Sequence, residues 1–277
     1  MKVLVLGGDT RQIYCAGRLS LEPNMIVHSC GLGCDEAPHC SADVLVLPYV
    51  TGSGGLINAP LSQRIITVDE AVESVKVGGT VFLGMLDKEQ VKRFEDKNVK
   101  VYDWFSDEEL TLANAGLTAE GAAQIIVKSS EYGLGGSRIL ILGWGRVARE
   151  CAKLFGAMGA DVTVSARKSQ ALDDAAGRGF KTAEFIDKSS VAAADIIVNT
   201  VPQNVLFEDT LRCVKKGGWI LELASKPYGV DMNAASRLGV KVNIASGIPG
   251  RYTPESAGRQ MAQSVIRRLK GDGEAYG

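Results

Sequence analysis

A glycine-rich turn in the second half of the sequence has the residue types and spacing of a dinucleotide-binding site. An apolar run at residues 138–142 leads into the pattern GxGxxA, which ends at Ala148. In such turns the first glycine permits a tight bend, the second lets the backbone approach a pyrophosphate, and the last small residue lets the helix lie close to the strand. The predicted cofactor-binding residues of this turn are Gly143, Trp144, Gly145, Arg146 and Val147.

The end of the next predicted strand distinguishes NADP from NAD. An acidic side chain at this place bonds the ribose hydroxyls of NAD, whereas cationic groups suit the additional phosphate of NADP. The chain has Ala166-Arg167-Lys168-Ser169 here, without an acid. Arginine and lysine form charge-assisted hydrogen bonds to phosphate, so these four residues predict NADP, with NAD as the alternative. A solvated pair of surface charges is the other interpretation of Arg167 and Lys168.

Two further segments follow predicted strands of the same region. They are Thr200-Val201-Pro202 and Ala224-Ser225-Lys226. Ligands of open α/β sheets bind at the carboxyl ends of strands, which predicts that the first segment and Ala224 flank the nucleotide. Ser225 is then expected near the nicotinamide end, although ordinary loop residues would give the same pattern.

The first predicted strand also ends in glycines, in the segment Gly7-Gly8-Asp9-Thr10-Arg11. This segment lacks the GxGxxG spacing, so no second dinucleotide site is predicted. Because Asp9 and Arg11 fall at the start of a helix, we expect this turn to face a cleft between domains and to help bind an anionic substrate.

The elements that would position these residues alternate along the whole chain. Short apolar runs alternate with amphipathic stretches, which is typical of strand–helix–strand units in a parallel sheet. A long helical stretch from Ser106 to about Tyr132, with Gly116 and Gly121 as interruptions, separates two such series. The predicted strands are 3–6, 25–28, 44–47, 80–83 and 100–102 in the first series, and 138–142, 162–166, 196–199, 219–223 and 240–244 in the second.

The predicted fold class is therefore α/β, with two doubly wound Rossmann-like domains, of which the first is flavodoxin-like or Rossmann-like. Thr253 and Pro254 suit the cap and first position of a closing helix through Leu269 that returns to the N-terminal domain. The predicted parts are a substrate domain at 1–112, an interdomain helix and linker at 113–136, an NADP-binding domain at 137–250 and a C-terminal helix at 251–277.

Composition argues against several classes of partner. The chain has 277 residues, with 31 Lys and Arg against 32 Asp and Glu, so no basic surface for nucleic acid or an anionic membrane is predicted. We expect no membrane span and no signal peptide, hence a cytoplasmic protein with a small-molecule partner. Cys30, Cys34, His39 and Cys40 cluster without the spacing of a zinc site, so we expect free thiols and no metal.

Five segments together resemble the family formed by the A (dehydrogenase) subunit of dipicolinate synthase. They are Gly7-Gly8-Asp9-Thr10-Arg11-Gln12, Leu117-Thr118-Ala119-Glu120-Gly121, Leu142-Gly143-Trp144-Gly145-Arg146, Leu223-Ala224-Ser225-Lys226-Pro227 and Gly247-Ile248-Pro249-Gly250-Arg251. The similarity runs from Met1 to the closing helix. Tyr228 departs from it, since we expect a glycine after the Ser-x-Pro unit.

The resemblance implies a sporulation enzyme of the mother-cell cytoplasm. It implies oxidation of dihydrodipicolinate, or of its hydrated 4-hydroxy precursor with loss of water, to dipicolinate on a branch of the lysine pathway. It further implies that the partner is a flavoprotein-like B subunit, and that the two-domain architecture is like that of formate/glycerate dehydrogenases. We also expect a homo-oligomer.

A dicarboxylate substrate would need cations and neutral donors, and its oxidation needs a place for a proton. The predicted substrate-binding residues are Arg11, Arg251 and Lys226 as cations, with Thr118 and the backbone of Ser53, Gly54 and Gly55 as neutral donors. The predicted catalytic residues are Glu120 or Asp9 as acid or base, and Ser225 as a donor.

Two rival functions remain open at this point. A 2-hydroxy-acid dehydrogenase of the same architecture would want a histidine near the nicotinamide, but the only histidines are His28 and His39. A nucleotide-binding regulatory subunit whose partner carries the catalysis is the other alternative.

Overall fold

The computed structural model describes residues 1–33, 41–130 and 133–273. The chain divides into two compact units. Unit 1 comprises Met1–Asn114 and Pro249–Gly277, and unit 2 comprises Ala115–Ile248.

Unit 1 contains a five-stranded parallel sheet and a short antiparallel hairpin, β4–β5. Its strands are β1 (Lys2–Leu6), β2 (Ile26–Cys30), β3 (Ala42–Val46), β4 (Gly52–Ser53), β5 (Leu56–Ile57), β6 (Val75–Leu83) and β7 (Lys100–Asp103). Its helices are α1 (Thr10–Leu19), α2 (Val68–Ser74), α3 (Lys88–Asp96), the beginning of α4 (Glu108–Ser129), α10 (Ile248–Tyr252) and α11 (Pro254–Gly273). The sheet order β2-β1-β3-β6-β7 is that of flavodoxin-like folds, which decides between the two predicted types.

Both faces of the unit 1 sheet are covered by apolar side chains. One face packs Leu4 and Leu45 against α2 and α3, where Phe94 is fully buried. The other face packs Val3 and Val5 against α1 and α11. Parallel strands buried on both faces are expected to be continuously apolar, as the Val-Leu-Val-Leu end of β1 is.

A buried carboxylate joins α11 to the start of α4. Asp107 accepts hydrogen bonds from the Leu110 backbone N–H at 3.2 Å and from the Ser264 hydroxyl and the Arg267 guanidinium at 2.6 Å each. Burial would raise the pKa of Asp107, but these hydrogen bonds and the Arg267 charge outweigh burial and lower it. The carboxylate thus serves as both helix cap and tie for the C-terminal helix.

Unit 2 is a six-stranded parallel sheet in the order β10-β9-β8-β11-β12-β13, the doubly wound order of dinucleotide-binding folds. Its strands are β8 (Arg138–Leu142), β9 (Asp161–Ser165), β10 (Lys181–Ala183), β11 (Ile196–Asn199), β12 (Trp219–Glu222) and β13 (Lys241–Ile244). Its helices are the rest of α4, α5 (Arg146–Ala157), α6 (Ser169–Gly177), α7 (Lys188–Ala193), α8 (Glu208–Leu211) and α9 (Met232–Leu238).

The predicted fold class is confirmed, and the differences are local. The hairpin β4–β5 and the edge strand β10 were not predicted, because each is too short to show a clear apolar pattern. Gly116 and Gly121 do not interrupt α4, whose many alanines and leucines have high helix propensity. That helix spans Glu108–Ser129, within the helical stretch predicted from Ser106 to about Tyr132. The closing helix begins at Pro254 as predicted and continues to Gly273.

We predict that replacing Gly258 with alanine destabilises unit 1. Gly258 lies where α11 crosses α1, and a β-carbon there would overlap the Arg11 carbonyl oxygen and lie 2.7 Å from the Tyr14 β-carbon. Overpacking of this kind costs about 1–3 kcal/mol. Urea unfolding followed by circular dichroism measures the loss.

The matched control is Gly271→Ala on the same helix, where a β-carbon meets no atom within 4 Å. There the better helix propensity of alanine should leave the free energy of unfolding unchanged or raise it by less than about 1 kcal/mol. Equal stability of the two variants would contradict the close packing of α1 and α11.

Candidate dinucleotide-binding site

Two glycines shape the turn between β8 and α5, and they do so differently. Gly143 has φ +96°, in the region that favours glycine, and a β-carbon there would lie 2.7 Å from Thr200 Oγ1. Gly143 is therefore required by the protein's own packing. Gly145 has φ −78° and an open surrounding, because a β-carbon there would have no atom of the described residues within 4 Å.

Gly145 is also the cap residue of α5. It supplies no side-chain acceptor to the first turn of the helix, whose N–H groups carry the positive end of the helix dipole. Ala148 is fully buried, which brings the helix close to the sheet. An open glycine before an uncapped helix N-terminus fits a pyrophosphate, so the residues present suit the predicted dinucleotide.

The Trp144 side chain holds helices together. It is buried, its indole N–H donates to Asp174 Oδ2 at 2.7 Å, and its ring packs edge-on against Phe180 with centroids 5.9 Å apart. The Arg149 guanidinium, on α5, lies 5.7 Å from the Trp144 ring centroid. We therefore limit the predicted role of Trp144 in cofactor binding to its backbone.

The predicted phosphate-binding residues follow β9. Ala166 is buried, whereas Arg167, Lys168 and Ser169 are exposed at the start of α6. Arg167 donates from Nη1 to Gln203 Oε1 at 3.3 Å and lies 5.4 Å from the Phe185 ring centroid. Within residues 1–33, 41–130 and 133–273, no carboxylate lies within ion-pair distance of Arg167 or Lys168. Their charges are therefore not neutralised by that part of the chain.

Thr200 ties the end of β11 to the end of β8. Both its backbone N–H, at 3.1 Å, and its hydroxyl, at 2.7 Å, donate to the Leu142 carbonyl oxygen. The following residues Val201 and Pro202 are half-buried and exposed, respectively. The hydroxyl is thus a structural donor that holds the rim of the glycine turn.

Two polar side chains at these strand ends were not predicted as functional. Asn199 ends β11, Glu222 ends β12, and both side chains are fully buried and hydrogen-bonded to each other. A signal was present in the sequence, because each strand reads as three apolar residues closed by one polar residue, Ile-Ile-Val-Asn and Trp-Ile-Leu-Glu. A buried strand normally ends this way only where the polar group has partners.

The loop after β12 contains the remaining predicted residues of unit 2 near this edge. Ala224 is buried, and Ser225 and Lys226 are exposed. Tyr228 has φ +66°, a conformation that a glycine adopts without strain. This is the physical reason for expecting glycine at the position where the chain departs from the resemblance.

The remaining predicted residues of unit 2 lie on α4. Thr118 is buried and Glu120 is exposed, and residues two apart on a helix do not share a face. A common action of these two side chains on one substrate group is therefore not favoured.

In unit 1, Asp9 and Arg11 form a tight ion pair. The Arg11 Nε and Nη2 atoms donate to the Asp9 carboxylate at 2.7–3.1 Å, and the Arg11 backbone N–H donates to the same carboxylate at 3.0 Å. Gly250 packs on this pair, since a β-carbon there would lie 2.6 Å from Asp9 Oδ2. Asp9 thus caps α1 with its own negative charge.

This pairing bears on the predicted roles of Asp9 and Arg11. Burial would raise the pKa of Asp9, but the hydrogen bonds and charge of Arg11 outweigh burial and lower it. Asp9 is therefore ionised at neutral pH and unsuited to donate a proton. Arg11 is almost fully buried, and much of its donor capacity is used by Asp9, so its predicted binding of a substrate carboxylate would rely on what remains.

The other predicted residues of unit 1 lie on its surface. Ser53, Gly54 and Gly55 form the tip of the β4–β5 hairpin, where both glycines have positive φ. Arg251 is exposed on α10, with its guanidinium 5.7 Å from the Tyr252 ring centroid.

Of the predicted cysteine–histidine cluster, only Cys30 lies in the described chain, since Cys34, His39 and Cys40 fall outside the described residues. The residues that the structure describes contain no group of three metal-ligating side chains. Cys15 and Cys151 are buried in helices, and burial raises the pKa of both thiols, that of Cys15 to about 12. Among the described helices, none is long and apolar enough to cross a membrane.

Two family models match successive parts of the chain. Residues 2–105 match the N-terminal domain of the A subunit of dipicolinate synthase. Residues 117–226 match the D-isomer specific 2-hydroxyacid dehydrogenase, NAD binding domain. The second match covers the glycine turn and the ends of β9, β11 and β12.

Individual proteins resemble the chain over nearly its whole length. The A subunit of dipicolinate synthase from Bacillus subtilis (strain 168) is 27% identical over 287 aligned positions, covering 97% of this chain and 96% of that protein. The crystal structure of the B. subtilis dipicolinate synthase A chain is 26% identical with a TM-score of 0.83, covering 100% of this chain and 98% of that one. The corresponding crystal structure from Bacillus halodurans has a TM-score of 0.82 at 24% identity, covering 97% of each chain.

The chain therefore has the fold of NAD-binding dehydrogenases, and its dehydrogenase-type domain supports an oxidoreductase with a nicotinamide cofactor. Within that class, its resemblance to the A subunit of dipicolinate synthase is confirmed by the family match, the curated relative and the solved structures.

We predict that Gly145→Ala removes dinucleotide binding without unfolding the protein. Since a β-carbon at Gly145 meets open space at an ordinary φ, the free energy of unfolding should change by less than about 0.5 kcal/mol. The methyl group would occupy the place of the pyrophosphate, so we expect at least about a tenfold loss of affinity, or about 1.4 kcal/mol. Calorimetric titration with NADP⁺ and thermal unfolding measure the two effects.

Gly177→Ala on α6, which also meets open space, is the control for a glycine replacement in unit 2. Retained NADP⁺ affinity in Gly145→Ala would place the pyrophosphate elsewhere.

Proposed function

We propose that this protein oxidises dihydrodipicolinate, or 4-hydroxy-tetrahydrodipicolinate with loss of water, to dipicolinate with NADP⁺ as hydride acceptor. The observation that carries the proposal is the combination of two features. The chain is similar over 97% of its length to the A subunit of dipicolinate synthase, and it has an open glycine turn in a dehydrogenase-type domain. In this reaction the substrate loses a hydride and a proton, and its ring becomes aromatic.

The proposed preference for NADP⁺ rests on the end of β9. Arg167 and Lys168 present two charges without a carboxylate partner in the described chain, next to the Ser169 hydroxyl and the N-terminus of α6. A 2′-phosphate carries the charge and the acceptor oxygens that such groups bind. The nicotinamide supplies a carbon that accepts a hydride, and the protein supplies orientation and electrostatics.

The two substrate carboxylates require cations that the protein has not neutralised internally. Lys226 after β12 and Arg251 on α10 are exposed, and neither has a carboxylate within ion-pair distance in the described chain. We assign carboxylate binding chiefly to these two cations, with a smaller part for the paired Arg11. Thr118 and the hairpin Ser53-Gly54-Gly55 remain proposed neutral donors.

Because aromatisation itself favours the reaction, an exposed group suffices to accept the proton. Ser225 lies exposed after β12 and is the proposed donor at the nicotinamide end. Glu120 is the proposed acid or base, and its exposure allows exchange of the proton with water. Asp9 is retained only as a base, and a weak one, because its lowered pKa keeps it ionised and Arg11 holds its charge.

The resemblance supports a proposal for the biological setting. We propose that the partner is a flavoprotein-like B subunit and that this chain forms a homo-oligomer. We further propose that it acts in the mother-cell cytoplasm during sporulation, on a branch of the lysine pathway. The B. subtilis relative is by name one of several subunits, which supports the existence of a partner.

A 2-hydroxy-acid dehydrogenase is the second candidate, favoured by the family match over residues 117–226. That chemistry needs an acid–base group beside the nicotinamide, for which a histidine is suited. The sequence has only His28 and His39, and His28 is exposed on β2 in unit 1. We therefore rank this function below dipicolinate formation.

The proposal is tested by incubating the purified chain with enzymatically generated 4-hydroxy-tetrahydrodipicolinate and either NADP⁺ or NAD⁺, with and without the flavoprotein partner. Reduced nicotinamide is followed by absorbance and dipicolinate by chromatography. We expect dipicolinate to form faster with NADP⁺. Binding of dinucleotide without product, even with the flavoprotein partner present, would instead indicate a regulatory role, and oxidation of a 2-hydroxy acid would favour the second candidate.

The same assay with Arg167→Ala tests the choice of cofactor. Loss of a charged hydrogen bond to the 2′-phosphate should raise the KM for NADP⁺ by at least about tenfold and leave that for NAD⁺ within about twofold. Lys181→Ala is the control, because Lys181 lies at the amino end of β10 and pairs with Asp161. Equal effects of Arg167→Ala on both cofactors would contradict the proposed phosphate site.

A further inference from the structure

The carboxylate of Glu222 is buried at the ligand-binding edge of the unit 2 sheet. Glu222 is the last residue of β12, and its side chain has no exposed surface. Burying a carboxylate costs several kcal/mol unless hydrogen bonds compensate. Such a residue persists where its bonds serve a purpose that an apolar side chain of similar size would not.

The hydrogen bonds of Glu222 come from the end of β11 and from the loop after β12. The Asn199 carboxamide donates to Oε1 at 2.8 Å and to Oε2 at 2.9 Å. The Ala224 backbone N–H donates to Oε1 at 2.9 Å, and the Gly229 backbone N–H donates to Oε2 at 3.0 Å. Burial raises the pKa of Glu222, while these donors oppose the rise. All its partners are donors, so the arrangement suits an acceptor at both oxygens.

The Asn199 side chain also forms hydrogen bonds with the backbone of the loop after β11. Its Oδ1 accepts the Val201 backbone N–H at 3.1 Å, and its Nδ2 donates to the Val201 carbonyl oxygen at 3.1 Å. Gly229 leaves room for the carboxamide, because a β-carbon there would overlap Nδ2 and lie 3.0 Å from the Val201 carbonyl oxygen. One buried pair thus fixes the backbone of residues 199–201 and 222–229.

These loops lie on one side of the point where the strand order reverses, between β8 and β11. In doubly wound folds the dinucleotide spans this point, with its two mononucleotide halves on opposite sides. Arg167 after β9 lies on the adenosine side, so the ends of β11 and β12 lie on the nicotinamide side. Thr200 borders Gly143 directly, which connects the loop to the pyrophosphate turn.

We propose that Glu222 is a positioning residue for the nicotinamide half of the cofactor. Through Asn199 and the backbone N–H groups of Ala224 and Gly229, it holds the two loops that contact the nicotinamide and its ribose, without touching either itself. The role rests on dinucleotide binding by unit 2 and is independent of which substrate is oxidised.

The test compares NADPH with 2′-phospho-ADP, which keeps the adenosine, its 2′-phosphate and the pyrophosphate but lacks both the nicotinamide and its ribose. Glu222→Gln replaces one acceptor oxygen with an NH₂ group. That group would face the Asn199 carboxamide and one backbone N–H, of Ala224 or Gly229, so these hydrogen bonds would be lost. We expect the affinity for NADPH to fall by at least about tenfold, while that for 2′-phospho-ADP stays within about twofold. Calorimetric titration, at a temperature where circular dichroism shows folded protein, gives both constants.

Asp161→Asn is the control for the loss of a carboxylate, because Asp161 lies at the amino end of β9 and pairs with Lys181 on the surface. Both affinities should be unchanged in this variant. Should Glu222→Gln fail to fold, Asn199→Ala decides, since Glu222 then keeps its two backbone donors and only the 199–201 loop is released. The same selective loss of NADPH affinity is expected.

Equal weakening of both ligands, or unchanged NADPH affinity in a folded variant, would overturn the positioning role. Wild-type protein that binds neither of these ligands nor NADH would overturn the dinucleotide site itself, and this role with it. The two failures are therefore distinguishable.

Discussion

The N–H groups at the start of a helix need acceptors, and this need separates the two glycine-rich turns of the chain. At α1 the acceptor is the protein's own Asp9, whose charge is in turn held by Arg11. At α5 the cap is Gly145, which supplies no side-chain acceptor. Two similar strand–turn–helix units thus differ at the cap residue of the helix. An internal carboxylate is the acceptor at the first turn, whereas the second is open to a pyrophosphate.

Hydrogen bonds fix the surroundings of the open turn. Thr200 holds the end of β11 against β8, and the buried pair Asn199 and Glu222 orders the loops beyond. These contacts place polar groups in a dry environment, where they are rigid because each has partners. The cofactor would therefore meet a preformed surface at both the pyrophosphate and the nicotinamide end, which limits the ordering cost of binding.

The features that the sequence predicted are those that follow from repetitive patterns and from backbone geometry. Strands such as 138–142 and 196–199 are apolar runs of parallel-sheet type, and the structure has both at the predicted residues. Gly143 has the positive φ that its motif requires. The functional consequence of Glu222 could not be predicted, because its partners at Asn199 and Gly229 are brought together only by the sheet.

Ion pairing between side chains is the other feature that could not be predicted from the sequence. Arg11 and Asp9 are both polar residues near a helix start, and their positions in the sequence predicted a separate role for each in substrate binding or catalysis. The structure pairs them, so that the charge of each is balanced by the other. By contrast, Arg167 and Lys168 follow their strand as predicted and have no carboxylate partner in the described ranges. The order of strands and loop residues could be predicted from the sequence. Which charges are paired became visible only in the structure.

The stoichiometry of dinucleotide binding tests the difference between the α1 and α5 turns most directly. Calorimetric titration of the wild-type chain with NADP⁺ should give one bound dinucleotide per chain, because Asp9 is the internal acceptor at the turn of unit 1, whereas the turn at Gly145 in unit 2 is open. Two dinucleotides bound per chain would contradict a single site at the α5 turn. Unchanged binding of one dinucleotide by Gly145→Ala would contradict it as well.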